Sequence, residues 1–450
     1  MLNAADAEII THCGPGTPMG NLMREYWIPA VGSDELPNPD GAPLRIRLLN
    51  ENLIAFRATS GKVGLIEDAC PHRGASMFFG RNEEDGLRCV YHGWKFDVSG
   101  QCVDMLSEPA ESSFVNKVRT TAYATRERGG IVWAYMGSRE VPPQLPDLEA
   151  NMAAAPGAPV NRSLNYYNWL QGMENNIDTA HQAILHFGAL SQEIVDLPEF
   201  RDRTDIKYFI ADRAPVFQVR DTEAGVSAGA HRPAGEDSYY WKTMHFLMPF
   251  YSMVPVAKLG SNAQFSATVP VDDYHCMSWG MSRVVGPMDG SVRNQSVQRE
   301  PIPNSSDWLG RFRNPLSRDW DADFNIDRDT QSKKPPTLQG WTGLLDVAAQ
   351  DEMVRWSQGR ASNNGIVERT REHLGTTDSM IIKVRRRLLD SAKALRDRGA
   401  TPPGVETPAA YRYRSGWVIL PRNVDYWEAS RDLREAFKEG LAVEATPTIS

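Results

Sequence analysis

The chain has 450 residues, a formal net charge of -8 and a sequence pI near 5.7. At about 100 to 200 residues per domain, this length predicts two domains. An acidic chain has no general attraction to nucleic acid or anionic membranes, and no apolar run approaches the roughly 20 residues that a membrane span needs. Composition therefore favours an enzyme acting on a small molecule, without a nucleic-acid or membrane partner.

Cysteine usage and the N-terminal sequence bear on the cell compartment. The start MLNAADAEIITHCGPGTP lacks the basic and apolar regions of a signal peptide. Five cysteines, an odd number without disulfide-like spacing, fit a reducing compartment. Three of them, Cys13, Cys102 and Cys276, carry no motif and are predicted to be small buried hydrophobic residues. We expect a cytoplasmic protein.

The first third of the chain is strand-like. Alternating Leu44, Ile46 and Leu48 are followed by the segments LIAF, VGLI and GIVWAYMG, which turn residues separate. A stretch rich in Pro and Ala at 141–159 then suggests a boundary. We expect a small antiparallel domain within residues 1–145 and a second domain of mixed helices and strands over 146–450.

Five segments of the second domain have clear helix or strand patterns. Helices are predicted over 169–184 and over 379–400, the second stopped by Gly399 and the Pro402-Pro403 pair. Strands are predicted over 217–220, 246–256 and 277–285, which are rich in aromatic and β-branched residues.

Two pairs of cysteine and histidine lie within residues 70–94. The pattern is Cys70-x-His72, sixteen intervening residues, and Cys89-x2-His92. Two thiolates and two imidazoles suit either zinc or an iron–sulfur cluster. Zinc modules usually place both cysteines before both histidines, whereas a Rieske [2Fe-2S] centre takes one cysteine and one histidine from each of two loops. The alternation therefore favours one Rieske cluster per chain.

A second metal site is predicted from ENNIDTAHQAILHFG, residues 174–188. On a helix, His181 lies at the edge of an apolar stripe, and Asp178, three residues away, can touch it. His186 would point about 140° away from His181, so both can bind one metal only if the helix widens or ends there. Two histidines and one carboxylate form the usual ligand set of non-haem Fe(II) oxygenases.

The carboxylate ligand is predicted in residues 343–359. Helical projection places Asp351 among Leu344, Val347, Ala348 and Val354. A carboxylate on an apolar face is costly unless it is paired or bound to a metal. Asp351 is therefore the predicted third ligand.

Asp178 and Asn175 are the candidate catalytic residues beside this iron. A ligating histidine generally donates its free N–H to a carboxylate, which is the role predicted for Asp178 toward His181. With its other oxygen, Asp178 could accept from a cluster histidine such as His92 and so link the two metals for electron transfer.

Together these motifs resemble the oxygenase (alpha) subunits of Rieske non-haem iron aromatic-ring oxygenases, in the phthalate dioxygenase-like branch. The likeness runs from GPGTPMGNLMREYWIPA through the loops CPHRG and CVYHGW and the segment NWLQGMENNIDTAH to QDEMVRWSQG and EHLGTTDSMIIKVRRRLL. Respiratory Rieske proteins carry an extra cysteine in each loop, where this chain has Ala75 and Tyr91.

The resemblance implies an α+β protein. An all-β Rieske domain would be joined to a helix-grip catalytic domain, whose curved antiparallel sheet is covered by helices. One mononuclear Fe(II) per chain would be held by His181, His186 and Asp351. The resemblance also implies a homotrimer or stacked trimers, with the cluster of one subunit near the iron of its neighbour, and a separate NAD(P)H-dependent reductase carrying a flavin and its own iron–sulfur centre.

The implied function is oxidation of an aromatic carboxylic acid with O2, by ring hydroxylation or dihydroxylation. O-demethylation of a methoxylated lignin-derived acid, releasing formaldehyde, uses the same ligands and stays open. A pure Rieske electron-transfer protein is the remaining alternative. Members of the branch often carry Glu-Ser after the aspartate and Gly-Gly before the bridging segment, where this chain has Trp356-Ser357 and Asn175-Asn176. Phthalate itself is therefore not carried over as the substrate.

Cationic side chains are candidates for contacts with partners. Arg232 or Lys242 would bind a substrate carboxylate, since Arg pairs with it through two N–H groups and Lys as a point charge. Ordinary surface charge is the alternative for both. A basic run on the helix over 379–400 is interpreted either as a solvated face or as a docking patch for an acidic reductase: Lys383, Arg385, Arg386 and Arg387.

Overall fold

The computed structural model describes residues 2–109, 111–155, 157–196, 204–286, 312, 320–332, 340–344, 346–360, 365–435 and 437. Its strands form four sheets, one of eight strands, one of four and two of three. Neighbouring strands pair antiparallel throughout these sheets.

The three small sheets are built from the first third of the chain. Their strands are β1 (Trp27–Gly32), β2 (Leu44–Leu48), β3 (Glu51–Arg57), β4 (Val63–Glu67), β5 (Arg81–Glu83), β6 (Gly86–Arg88), β7 (Trp94–Phe96), β8 (Cys102–Met105), β9 (Ala124–Arg128) and β10 (Ile131–Tyr135). The pairing orders are β1-β10-β9, β2-β3-β4 and β5-β6-β7-β8. The predicted strand segments of this region fall in β2, β3, β4 and β10.

The large sheet belongs to the rest of the chain. Its strands are β11 (Asn161–Asn165), β12 (Val216–Thr222), β13 (Gly225–Pro233), β14 (Ser238–Leu247), β15 (Tyr251–Met253), β16 (Asn262–Pro270), β17 (Cys276–Val284) and β18 (Gly416–Pro421). The order is β11-β17-β16-β15-β14-β13-β12, and β18 pairs with β14. The single strand predicted over 246–256 is instead the end of β14, a turn and β15.

The helices come from several parts of the sequence. They are α1 (Ala4–Thr11), α2 (Pro18–Arg24), α3 (Glu149–Met152), α4 (Trp169–Ile177), α5 (Gln192–Val195), α6 (Thr204–Ala211), α7 (Arg328–Ser332), α8 (Val347–Arg360), α9 (Ser379–Arg398), α10 (Tyr426–Ala429) and α11 (Arg431–Arg434). Helix α4 lies on β15 and β16, and α9 lies on β12 and β13. The predicted stop of α9 is confirmed, because Gly399 follows it with a left-handed φ of 64°. None of these helices is long and apolar enough to cross a membrane.

The sheet β2-β3-β4 separates two hydrophobic cores. Along β3, Leu53 and Ala55 enter the large core, which also contains residues of the large sheet. Ile54 and Phe56 enter a smaller core. This alternation is the two-residue period of a strand buried on both faces. Cys70 and Cys89 belong to the smaller core. The paired cysteine and histidine loops are thus supported by a compact core of their own.

Candidate metal centres and active site

Two loops with matching backbone hydrogen bonds carry the cysteine and histidine pairs. The N–H of Gly74 donates to the carbonyl of Cys70 at 2.8 Å, and that of Gly93 to Cys89 at 2.9 Å. Both glycines have left-handed φ angles, 73° and 76°, which residues with a Cβ rarely adopt. A Cβ on Gly93 would also lie 2.7 Å from the Cβ of Leu106. The glycine of each loop is therefore required by its turn.

The four predicted cluster ligands converge. Cys70 and Cys89 are only 2% and 3% exposed, and the ring centroids of His72 and His92 are 4.4 Å apart. Both Nδ1 atoms are buried and have no hydrogen-bond partner among the described residues. Burial, together with the neighbouring Cys89 thiol, raises the pKa of Cys70. Buried polar atoms without partners are costly, so this donor set fits a Rieske cluster with both sulfurs on one iron and both nitrogens on the other.

Aromatic and aliphatic side chains surround the two histidines. Trp94 stacks on His72 with centroids 4.3 Å apart, and the Tyr91 ring lies 3.9 Å from His92. An apolar rim of three side chains, Val90, Tyr91 and Leu106, is 58%, 55% and 69% exposed. Apolar side chains this exposed and this close together are typical of a surface that contacts a partner.

The helix predicted over 169–184 is wrong in its second half. Helix α4 ends at Ile177, and Asp178 follows it with an extended backbone (φ -85°, ψ 119°). The Asp178 Oδ1 accepts the backbone N–H groups of Ala180 at 2.6 Å and of His181 at 3.4 Å. A π-helical turn, Gln182–His186, comes next. The widening that His186 needs to share a metal with His181 is therefore present.

Three predicted ligand side chains meet beyond this turn. One donor atom from each of His181, His186 and Asp351 lies within 4.8 Å of the other two. Asp351 Oδ1 is 3.5 Å from His181 Nε2 and 3.6 Å from His186 Nε2. Ligands about 2.1 Å from one ion are about 3 to 4.2 Å apart, and both distances from Asp351 fall in that range. Asp351 Oδ1 is buried with no hydrogen-bond partner among the described residues, as a ligand atom would be.

A polar group faces the second nitrogen of each of these histidines. Asp178 Oδ2 lies 3.3 Å from His181 Nδ1. Hydrogen bonds of this length in an active site often shorten when the ligand binds. Gln350 Oε1 lies 2.8 Å from His186 Nδ1. Burial acts to raise the pKa of Asp178, but contacts with His181 and the Ala180 N–H outweigh it and lower that pKa. Burial lowers the pKa of His186. Burial thus favours the neutral imidazole of His186, the form that binds a metal.

The apolar face predicted around Asp351 is only partly present, although the residue lies where the prediction needs it. Val347 and Ala348 are exposed, whereas Leu344 is buried and Val354 is half-buried. The buried positions of α8 are Ala349, Gln350, Glu352 and Gly359. Helix α8 therefore buries both polar and apolar groups.

The outer oxygen of Asp351 faces a cation. Arg355 Nη2 lies 3.6 Å from Asp351 Oδ2 and, with Nε, donates to Asn175 Oδ1 at 2.5 and 2.9 Å. The side-chain oxygen of the predicted catalytic residue Asn175 is thus engaged by Arg355. Among the described residues, Asn175 is connected to the metal site indirectly, through Arg355 and Asp351.

Both candidate substrate cations are buried, so the surface-charge alternative is wrong. Arg232 is 0% and Lys242 6% exposed. In the register of β13 and β14, Arg232 is opposite Tyr240 and Lys242 is opposite Ala230, which places both cations on one face of the sheet. Each charged group lies 4.6 Å from the centroid of the Phe209 ring.

A chain of contacts connects these cations to the metal site. Lys242 Nζ donates at 2.7 Å to the side-chain oxygen of Gln182, the residue after His181. The Phe209 ring lies 5.8 Å from Phe187, the residue after His186. Burial lowers the pKa of Arg232 to about 10, so its guanidinium is still charged at neutral pH. Two buried cations and two aromatic rings are thus connected to the three-residue metal site.

Sequence reasoning missed three side chains of this site. Gln350 and Arg355 lie one residue before and four residues after Asp351, and the four-residue spacing on a helix was a readable signal for Arg355. Phe209 lies about twenty residues beyond His186 in sequence, and only the packing of α6 on β13 brings it to the site.

The predicted docking patch is wrong at Arg385. That side chain is buried and binds Glu174 and Glu372, with Nε 2.6 Å from Glu174 Oε1. Lys383 pairs with Asp221 at 2.7 Å. Of the four predicted cations, Arg386 is the one classed as exposed. The basic run is therefore mostly used within the fold, because Arg385 ties α9 to α4.

Gln350→Met is expected to weaken metal binding at the three-residue site by about tenfold to a hundredfold, because removing a partner of a ligating histidine typically costs this much. The methionine retains the length of the side chain but offers His186 Nδ1 no oxygen. Anaerobic titration with Fe(II) measures the dissociation constant. Gln350→Glu retains an acceptor and should bind nearly as wild type does. Equal affinity of the methionine variant would remove Gln350 from this role.

Comparison with known proteins adds evidence independent of the site geometry. Residues 26–120 match the Rieske [2Fe-2S] domain family, and residues 134–446 match the family described as LigXa C-terminal domain like. The 3-chlorobenzoate-3,4-dioxygenase oxygenase subunit of Comamonas testosteroni is 41% identical over 95% of this chain and 98% of its own. The phthalate 4,5-dioxygenase oxygenase subunit of Pseudomonas putida is 31% identical over 95% and 94%.

A solved structure shares the fold. The terminal oxygenase of carbazole 1,9a-dioxygenase from Nocardioides aromaticivorans IC177 aligns with a TM-score of 0.51 and 18% identity, over 84% of this chain and 98% of that one. The predicted fold class, an all-β Rieske domain with a catalytic domain of antiparallel sheet and helices, is confirmed. The chain belongs to the Rieske non-haem iron oxygenases, as an oxygenase subunit that carries a Rieske [2Fe-2S] cluster and a mononuclear iron.

Proposed function

We propose that this oxygenase subunit oxidises an aromatic carboxylic acid by ring hydroxylation or dihydroxylation, using O2 and electrons from a separate NAD(P)H-dependent reductase. The observation that carries the proposal is Arg232. Its guanidinium is fully buried, and neither Nη1 nor Nη2 has a hydrogen-bond partner among the described residues. A buried cation of this kind is costly until an anion binds it.

A carboxylate is the anion that best fits these free groups. The two parallel N–H groups of an arginine match the two oxygens of a carboxylate, with charge-assisted hydrogen bonds. The Nε of Arg232 already donates to the Asp212 carbonyl at 2.8 Å, which fixes the guanidinium plane. Phe209, whose ring both cations contact, adds an aromatic side chain to this part of the site. Both relatives described above are named for aromatic carboxylates, chlorobenzoate and phthalate.

The site geometry supports two ligand sets as part of this proposal. We assign the cluster to Cys70, Cys89, His72 and His92. We assign the mononuclear iron to His181, His186 and Asp351, where it supplies the open coordination positions for O2. Arg232 and Lys242 hold the substrate acid beside those positions. Asp178 and Gln350 keep a proton on each imidazole Nδ1 and leave both Nε2 atoms free for the metal.

Arg232→Gln is expected to raise the KM for an aromatic acid by about a hundredfold, since two charge-assisted hydrogen bonds contribute roughly 3 kcal/mol together. Steady-state oxygen uptake with 3-chlorobenzoate or phthalate, supported by a reductase, measures it. Identification of hydroxylated product by mass spectrometry shows that uptake is coupled to oxidation.

Arg386→Gln makes the same substitution on an exposed face of α9 and should leave KM unchanged. The amide analogues of the acids should bind wild type weakly and be insensitive to Arg232→Gln, because they lack the charge. An unchanged KM for every acid in Arg232→Gln would refute the carboxylate assignment. Stoichiometric formaldehyde from a methoxylated acid would assign O-demethylation, the alternative chemistry, to the same ligands.

The wider assembly is also part of this proposal. We infer a homotrimer or stacked trimers in which the apolar rim around the cluster is covered by a neighbouring subunit, near that neighbour's Asp178. We place the domain boundary near residue 145, after the Rieske match ends at residue 120 and shortly after the second family match begins at residue 134. A cytoplasmic location, with no nucleic-acid or membrane partner, agrees with the acidic composition.

A further inference from the structure

The two oxygens of Asp351 have different surroundings. Oδ1 lies 3.5 and 3.6 Å from the Nε2 atoms of His181 and His186. Oδ2 lies 3.6 Å from the Nη2 atom of Arg355. One oxygen therefore faces the position of the metal and the other faces a fixed positive charge.

Arg355 is held in this position from two sides. On one side, Nε and Nη2 both donate to Asn175 Oδ1 on α4, at 2.9 and 2.5 Å. On the other side, Nη1 donates to the Tyr167 hydroxyl at 3.2 Å. The Tyr167 hydroxyl in turn lies 3.3 Å from Glu352 Oε2. Because the guanidinium is planar and three of its nitrogens are engaged, it cannot turn away from Asp351 without breaking several hydrogen bonds.

We propose that Arg355 is a positioning residue that keeps Asp351 as a one-oxygen ligand of the mononuclear metal. A carboxylate can bind a metal through one oxygen or through both. A guanidinium beside Oδ2 competes with the metal for that oxygen, and the competition is strong in a partly buried site where water screens little. The coordination position that Oδ2 would fill stays available for O2.

This role differs from simple charge balance. A cation anywhere near Asp351 would offset its charge, but only a group fixed on the side of Oδ2 selects between the two oxygens. Asn175 provides that fixation, which gives a reason for an asparagine carbonyl at this place in α4. The inference rests on the proposed ligand set of His181, His186 and Asp351.

X-ray absorption at the cobalt edge tests the proposal. The full chain keeps its Rieske cluster while Co(II) replaces the mononuclear iron, so the signal comes from this site alone. In wild type we expect one Co–O bond from Asp351. In Arg355→Gln we expect a gain of one Co–O bond, with the pre-edge intensity falling about twofold as the coordination number rises.

Arg360→Gln is the matched control, because it makes the same substitution at the exposed end of α8 and should keep the wild-type spectrum. Two-oxygen binding in wild type, or one-oxygen binding retained in Arg355→Gln, would overturn the proposal. If Arg355→Gln does not fold, Asn175→Leu should give the same gain, and an unchanged spectrum there would equally overturn it. A wild-type chain that binds no Co(II) would instead refute the ligand set, and with it the proposed function.

Discussion

Asp351→Ala is expected to remove the mononuclear iron and leave the Rieske cluster intact. Wild type should contain about three irons and two sulfides per chain, and the variant about two of each. Turnover should fall by at least about a thousandfold, because a metal site contributes several kcal/mol to the barrier. Metal and sulfide analysis with electron paramagnetic resonance of the reduced cluster measures both parts of the result.

Asp346→Ala is the matched control. Asp346 is exposed at the start of the same helix, where its oxygens accept the N–H groups of Ala348 and Ala349, each at 3.3 Å. Its loss should cost about 1 kcal/mol of helix stability and no iron. A wild-type chain with only two irons, unchanged in Asp351→Ala, would show that the second site is misassigned. A Rieske electron-transfer protein would then be the better interpretation.

The Rieske domain could be predicted from sequence because its predicted ligands lie close together in the chain. Each loop carries one cysteine and one histidine within four residues, and a tight turn at a glycine suffices to aim them together. The alternating pattern in β3 likewise follows from the two-residue period of a strand. Local spacing thus specified both the pairing of the loops and the sheet beneath them.

The catalytic half was predicted less completely, since its geometry depends on where a helix stops. The helical pattern continues through His181, but Asp178 ends α4 by accepting the following backbone N–H groups, and a π-helical turn follows. Residue types alone carry little information on such a break. Asp351 was predicted as a ligand through an apolar face that is only partly present, and its side chain nevertheless lies beside both histidines.

The sequence did not indicate which charged side chains are buried. Arg232 and Arg385 both have polar or charged neighbours in the sequence, and both side chains are buried. Arg385 binds Glu174 and Glu372, whereas Nη1 and Nη2 of Arg232 have no hydrogen-bond partner among the described residues. Only tertiary structure distinguishes an arginine that connects two helices from the arginine proposed to bind an anion.

Asp178→Asn is expected to lower turnover by roughly a hundredfold to ten thousandfold, through the protonation state of His181. Asp178 Oδ1 accepts the Ala180 N–H, so the amide oxygen of an asparagine would take that position. The amide NH2 would then face His181 Nδ1 and favour the proton on Nε2, the atom that must bind the metal. Anaerobic Fe(II) titration should show weaker binding, by about tenfold to a hundredfold.

Saturating iron separates two roles of Asp178. If Asp178 only orients His181, excess Fe(II) should restore the rate at which the reduced cluster is reoxidised in a single turnover with substrate and O2. If Asp178 also links His181 to a cluster histidine of a neighbouring subunit, that rate stays slow at full iron occupancy. A carboxylate has about four lone-pair sites, so the three contacts it makes within the chain leave room for one more donor. Asp178 is partly exposed, whereas Gln350, which serves His186, is buried. Of the two groups that orient the histidines, only Asp178 is therefore placed to receive a donor from outside the subunit.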